Sequence, residues 1–334
     1  MKVDAAVGAD MAKVGDQARR LERLGYDGLK LAELNHDPFM PLAIAAEHTE
    51  SIELVTSVAV AFSRNPMSMA NLAHDLNAFS GGRLVLGLGS QVKPHIERRF
   101  SMPWHKAARQ MREFIEAMQA IFDCWYDGKR LEYEGEYYTH TLMPATFTPM
   151  NTEAGRPRIS LSATGPLMTR VAAEIADGMI MHPFSSEKYM REVTIPAVEL
   201  GLQTSGRTLQ EFELDYAPMI ATGADEETFT DAIATVRDRI AFYGCTRAYR
   251  PVLEIHGWGD VQDELIILNK QNRKAEMAAL VTDEMLETIA IVGEPETVVD
   301  AIRGRLGGIV GRTGFSAPSL DDARLADLLT RLRS

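Results

Sequence analysis

The sequence predicts an α/β fold, a parallel (β/α)8 TIM barrel in which all 334 residues form one domain. Three observations predict it. Eight short apolar segments recur along the chain, most of them separated by helical stretches. Those segments are apolar almost throughout, as expected of strands covered on both faces. The first strand-to-helix turn, VGADMAK, has no G-x-G-x-x-G, which counts against the rival doubly wound sheet.

Strand one is KVDAAV, residues 2–7. Met11, Val14, Ala18, Leu21 and Leu24 then recur at helical spacing, and Gly25 stops that helix. YDGLKLAEL is strand two, and MPLAIAAEHTE is a short helix with Pro41 in its first turn. IELVTSVAVAF is strand three. Asn65 and Pro66 cap and open the next helix, which ends at SGG before strand four, RLVLGLGS. A long helix from about His105 to Tyr126 carries Met111, Phe114, Ile115, Met118, Ile121 and Phe122 on one stripe. Residues 127–157, aromatic and then rich in Pro, Gly and Thr, read as an inserted hairpin and loop. Strand five is RISLSATG, with Pro166 opening a helix, and strand six is DGMIMHP. EFELDYAPMIATG is expected as strand seven and YRPVLEIHGWG as strand eight, with a helical segment from about 261 to 334.

Composition bounds the function. The net charge is -12, so phosphate neutralisation gains nothing overall and nucleic acid is not an expected partner. No apolar run is long enough for a bilayer, and MKVDAAV lacks the pattern of a signal peptide, so a cytoplasmic protein is expected. Cys124 and Cys245 have no CxxC spacing and read as free thiols.

Barrel chemistry gathers at the C-terminal ends of strands. Strand two ends in Asn35, His36 and Asp37, and strand three exits through Ser63, Arg64 and Asn65. Strand four ends in Gly89, Ser90 and Gln91; strand five in Ser162, Ala163, Thr164 and Gly165; strand six in His182; strand eight in His256 and Trp258. The three histidines stand on strands spread round the barrel, so no metal site is expected. Small residues in GLGSQ and SATGP let a flat or phosphorylated ligand approach backbone, although each alone serves a tight turn equally well. The run Val92–Arg99, VKPHIERR, is either a solvated helix face or a contact for an anionic tail.

Taken together, TSVAVAFSRNPMSMANLAHDLNAFSGGRLVLGLGSQV, LNHDPF, SATGP, IADG and VGEPETVVDAI resemble, in the same order, segments of the luciferase-like monooxygenase superfamily. The likeness is to its branch that uses the deazaflavin coenzyme F420, in particular mycobacterial-type oxidoreductases. FIEAMQAIFDCWYDGKRLEYEGEYY is similar to that branch's long helix and hairpin insertion. The resemblance implies a bacterial-luciferase-like barrel and hydride transfer between F420 and a small alcohol, carbonyl or enone-like substrate. Alternatives on the same fold are an FMN-dependent monooxygenase and a non-catalytic flavin-binding relative. It implies His36 as the catalytic residue, in proton transfer. It implies a non-prolyl cis peptide at Ser57–Val58, with Asn35, Ser57, Val58, Ala59, Gly89, Ser90, Gln91, Ser162, Ala163, Thr164, Gly165 and His182 around the cofactor. Met40, Trp104, His140 and Trp258 are expected to shape the substrate pocket, and a homodimer is expected. Val92 and Met40 stand where sugar-phosphate members carry a glutamate and a tryptophan, so a sugar-phosphate substrate is not carried over.

Overall fold

The computed structural model describes residues 1–333. Eight parallel strands form a closed barrel: β1 Lys2–Ala6, β2 Gly28–Leu31, β3 Glu53–Thr56, β4 Leu84–Gly89, β5 Arg158–Ala163, β6 Gly178–Met181, β7 Glu213–Tyr216 and β8 Arg312–Gly314. Each pairs with its successor, and β8 pairs with both β7 and β1, which closes the ring. The helices between them stop and start where local chemistry directs. Gly25 ends Val14–Leu24 with a left-handed φ of 88°. The Asn65 side chain accepts the Ser68 N–H at 2.9 Å to start Pro66–Phe79.

Most of the strands are apolar on one face only. Val3, Leu29, Leu54, Leu86, Leu161 and Leu214 belong to the main buried core. The other face carries charge into the barrel interior. Lys30 Nζ lies 2.6 Å from Asp215, an ion pair between non-neighbouring strands that must cross the lumen, and 3.2 Å from Asp4. Arg312, 1% exposed in its side chain, reaches Asp4 at 3.2 Å and Glu213 at 3.5 Å, and also binds Glu53. Arg158 joins Glu53 at 2.5 Å. The expectation of strands apolar on both faces is therefore corrected for the strands that carry these charges, and it holds for β4 and β6.

The eighth strand is also corrected. Residues 250–254, expected within it, are helical, with Pro251 in the first turn. The strand that closes the barrel is Arg312–Gly314, inside the segment read as helical from about 261 to the end. Its inner residue is buried by ion pairs, not by apolar contact, so no hydrophobic run marks it. EFELDYAPMIATG likewise splits. Glu213–Tyr216 is β7, whereas Met219–Ala221 pairs outside the barrel with Ala290–Val292. Between β7 and β8, helices including Glu226–Gly244 and Gly259–Lys270 build a second core around Ile240, Leu253, Leu265 and Leu286, joined by Phe184 and Tyr189. Within 127–157, Tyr133–Glu134 and Thr139–His140 form an antiparallel hairpin. No helix among the described residues is long and apolar enough to cross a membrane.

The lumen charges give stability a worked pH dependence. Burial opposes ionisation of Glu53, but Arg312, Arg158 and Lys2 outweigh it and hold its carboxyl down to about 2. That stabilisation is present above the ordinary value of 4.5 and is lost as pH falls towards 2. Burial pushes Asp4 up to about 6 despite Lys30 and Arg312. Its contribution is complete below the ordinary 3.8 and is lost as pH rises through 6. In urea denaturation followed against pH, Glu53→Gln removes the acid-side loss and Asp4→Asn removes the decline between about pH 4 and 6. Arg312→Ala, which removes a buried cation shared by Asp4, Glu53 and Glu213, costs about 3–5 kcal/mol at neutral pH in the same assay.

Candidate active site

The barrel rim is built from close backbone approaches. After Thr56 the Ser57–Val58 peptide is cis, at the position the resemblance implied. The chain then pairs again, Ala59 with Leu88 and Val60 with Gly89. Thr56 Oγ1 donates to the Gly87 carbonyl at 2.8 Å. A Cβ on Gly87 would stand 1.9 Å from the Thr56 oxygen, and one on Gly89 would stand 2.6 Å from Val58 Cγ2 and 3.9 Å from Ser162 Cβ. Glycine is therefore required for β4 to lie against the bulge. Ser90 and Gln91 follow, Gln91 in the left-handed region at φ 58°.

The loop after β2 crosses beside this bulge. The Glu33 N–H donates to the Val58 carbonyl at 3.1 Å, and Glu33 Oε2 accepts the Val60 N–H at 2.8 Å. Arg64 Nη1 binds the same Glu33 oxygen at 2.7 Å, while its Nη2 binds Asp37 Oδ2 at 2.6 Å. Asp37 Oδ1 accepts the Phe39 N–H at 2.9 Å, which starts helix Phe39–Glu47. Arg99 Nη2 donates to the Leu34 carbonyl at 2.5 Å. Between these ties Asn35 and His36 are exposed.

On the far side, β5 ends in Ser162 and Ala163. Thr164 and Gly165 precede helix Pro166–Ile175, whose first N–H groups point towards the rim. His182 follows β6. Its ring stacks on Tyr249 at 4.4 Å and 28° and meets the edge of Tyr243 at 4.6 Å. Its Nδ1 accepts the Phe184 N–H at 3.1 Å, which leaves the ring proton on Nε2. Burial pushes its pKa down to about 4, so the ring is neutral at physiological pH. Ala163, Thr164, His182 and Tyr249 share one small cavity.

The structure thus brings the β2, β3, β4, β5 and β6 ends together, with Asn35, His36, Ser57–Ala59, Gly89–Gln91, Ser162–Gly165 and His182 on one rim. It separates others. Trp258 stacks on His256 at 4.7 Å, and His256 Nε2 lies 2.8 Å from Ser186 Oγ, on the helical excursion and not at a strand end. Trp104 meets Phe62 edge-on at 5.6 Å, just past the β3 bulge, and Met40 is exposed at the start of its helix. His140 sits in the hairpin, its Nε2 buried without a hydrogen-bond partner. In the basic run, Lys93 pairs with Glu97 at 3.7 Å and Arg99 holds Leu34, which leaves Arg98 without a carboxylate among the described residues. No group of three metal-ligating side chains occurs among the described residues.

Two features escape sequence reasoning. Tyr243 and Tyr249 come to His182 from a segment with no periodic relation to β6. The Glu33–Arg64–Asp37 ties were visible only as charged residues on either side of His36 and at the exit of strand three. A cavity of about 830 Å³ opens at the opposite end of the barrel, beside Arg158, Glu213 and Gly311 at the strand starts. It shares none of the bare backbone of the rim.

The whole-chain comparisons agree with this geometry. An uncharacterized protein of Mycobacterium tuberculosis is 48% identical over 312 residues, covering 93% of this chain and 92% of that protein. A 5,10-methylenetetrahydromethanopterin reductase of Archaeoglobus fulgidus is 28% identical over 273 residues, 80% of this chain and 77% of the reductase. The solved coenzyme F420-dependent tetrahydromethanopterin reductase of Methanopyrus kandleri superposes with a TM-score of 0.79 at 22% identity, covering 98% of this chain and 96% of that one. The luciferase-like monooxygenase family matches residues 2–310, and with this barrel, cis bulge and glycine-lined rim the chain belongs to that family.

Proposed function

We propose that this chain is a coenzyme F420-dependent oxidoreductase that moves a hydride to or from a small alcohol, carbonyl or enone-like substrate. One observation carries the reading: an unencumbered histidine, His36, stands on the same rim as the cis Ser57–Val58 bulge and the Gly89 that packs against it. The F420 dependence of the Methanopyrus kandleri reductase, a structural likeness over nearly the whole chain, supports the cofactor.

The residues fit such a group. Gly87 and Gly89 leave room for the Ser57–Val58 bulge to lie against β4, and that bulge would back the ring at the barrel mouth. Gly89, Ser90 and Gln91 would border the ring. Ser162–Gly165 and the first turn of Pro166–Ile175 would receive a phosphate. A deazaflavin held there supplies a carbon that exchanges hydride and reacts poorly with oxygen. The chain's own residues do the rest. His36 accepts the substrate hydroxyl proton at an imidazole nitrogen and returns it in the reverse direction. His182, neutral and with its proton fixed on Nε2, donates a hydrogen bond without changing charge. Holding substrate and proton acceptor together lowers the entropic part of the barrier.

Fluorescence titration of the pure protein tests the cofactor: F420 is expected to bind more tightly than FMN, and the reverse order would favour a flavin monooxygenase. His36→Ala is expected to keep F420 affinity and lower turnover about 100-fold or more. Undiminished turnover would remove His36 from the mechanism, and no cofactor turnover with any alcohol, ketone or enone would favour a non-catalytic relative.

We also propose a homodimer. Residues 142–152 carry no charge in a chain of net charge -12, and Leu142, Phe147 and Met150 are exposed there, with Leu142 and Phe147 sharing a surface hollow with Met67 and Asn71 of helix Pro66–Phe79. A charge-free patch can face its own copy across a two-fold axis without repulsion. Light scattering is expected to give a dimer, and Phe147→Asp with Met150→Asp to give a folded monomer. A wild-type monomer would refute the assignment.

A further inference from the structure

We propose that Arg64 is the positioning residue for His36, and that it joins the proton-transfer loop and the β3 bulge into one hydrogen-bonded unit. The inference rests on the proposed role of His36 and adds the residue through which that role is set.

Arg64 leaves the turn after β3, yet its guanidinium serves the loop after β2. One nitrogen holds Glu33, three residues before His36, and the other holds Asp37, one residue after it. The histidine is thus bracketed by two carboxylates fixed to a single planar cation. The same Nη1 also donates to the Val60 carbonyl at 3.1 Å and to Ser63 Oγ at 3.0 Å, so the guanidinium is itself pinned to the bulge. Glu33 completes the connection through the Val58 carbonyl and the Val60 N–H. The Arg64 side chain is 15% exposed, and its ring contact is Phe39, with the guanidinium carbon 5.7 Å from the ring centre.

What is left unheld is informative. Across Glu33–Asp37, both carboxylates and the Leu34 carbonyl have partners. The side chains of Asn35 and His36 have no hydrogen-bond partner among the described residues, and both are exposed. A loop tied at both carboxylates and at the Leu34 carbonyl presents the two adjacent free side chains to whatever enters the mouth. The burial of Glu33 by itself calls for its pairing with Arg64, but stability does not call for the second tie, because the exposed Asp37 could be solvated. A fixed backbone under a mobile proton carrier is what proton transfer needs, since a misplacement of about 1 Å can cost about 100-fold in rate.

Lysine cannot replace arginine here. An ammonium is a point charge, whereas the two carboxylates sit on separate nitrogens of one planar fork. Arg64→Lys preserves charge and volume in the buried position and should fold, so it is the discriminating variant, with Arg64→Ala beside it.

The test uses the full-length protein with histidines labelled at Cε1, observed by NMR without added cofactor, and turnover of the F420-loaded enzyme. In wild type the His36 signal, identified from its loss in His36→Ala, is expected to be single. In Arg64→Lys it is expected to shift and broaden, with faster amide exchange at Glu33, Phe39 and Val60, whose N–H groups are bonded within this unit, while the His182 signal stays in place. Turnover should fall at least tenfold with KM changed less than threefold. In a His36→Ala background, Arg64→Lys should remove no further activity, because its effect runs through the histidine. An unchanged His36 signal and exchange pattern in Arg64→Lys overturns the inference, whatever the turnover. A His36→Ala enzyme of full activity overturns the proton-transfer role instead and leaves the positional result to be read from the NMR.

Discussion

Arg312 is the contact on which the barrel depends. It is almost wholly buried, it stands on the strand that closes the ring, and it binds carboxylates from β1, β3 and β7. A buried cation with fewer partners would be prohibitively costly. Conversely, Asp4, Glu53 and Glu213 would lose the one cation that all three share. The three-residue strand Arg312–Gly314 therefore holds its place through charge as well as through pairing. Its side-chain contribution comes from the lumen and not from an apolar face. Lys30 and Arg158 extend the same logic to β2 and β5, where each meets a carboxylate.

A barrel fixed from within leaves its rim free to be built for approach. The β3–β4 contact shows how. The Thr56 carbonyl and the Val58 side chain occupy the space where Gly87 and Gly89 would carry Cβ atoms. The bulge can then lie against β4 with its backbone bare towards the mouth. That bulge in turn supplies the Val58 carbonyl and the Val60 N–H that Glu33 needs, so the position of the β2 loop follows from two missing side chains on β4. A bulky residue at Gly87 would disturb the site through this chain of contacts before it touched any ligand.

The legible parts of the molecule are those whose signals are consecutive in sequence. Asn65-Pro66 and Gly165-Pro166 mark helix starts because cap and first turn are adjacent, and both starts are observed. Asn35-His36 was found for the same reason, at the end of an apolar run. β8 was missed because Arg-Thr-Gly has no hydrophobic pattern, and its burial is explained only by Asp4, Glu53 and Glu213 far away in the chain. The lumen charges left a faint trace in the alternations Lys2-x-Asp4 and Glu213-x-Asp215, but apolar neighbours on the outer face obscured it. Tyr249 was assigned to a strand when it belongs to a helical turn, so its stacking on His182 could not be anticipated.

The two histidines of the rim are given opposite environments by these same constraints. His182 lies between two tyrosines, loses solvation, and stays neutral with its proton assigned by the Phe184 N–H. His36 has no such enclosure, because the ties around it run through Glu33, Leu34 and Asp37 and stop short of its ring. His182 is thereby set to donate a hydrogen bond from Nε2 without charge, whereas the ring of His36 is left open to solvent and to whatever enters the mouth. Stacking aromatics under one ring and leaving the other bare gives the two histidines of one rim different surroundings, and that difference is fixed by packing before any ligand arrives.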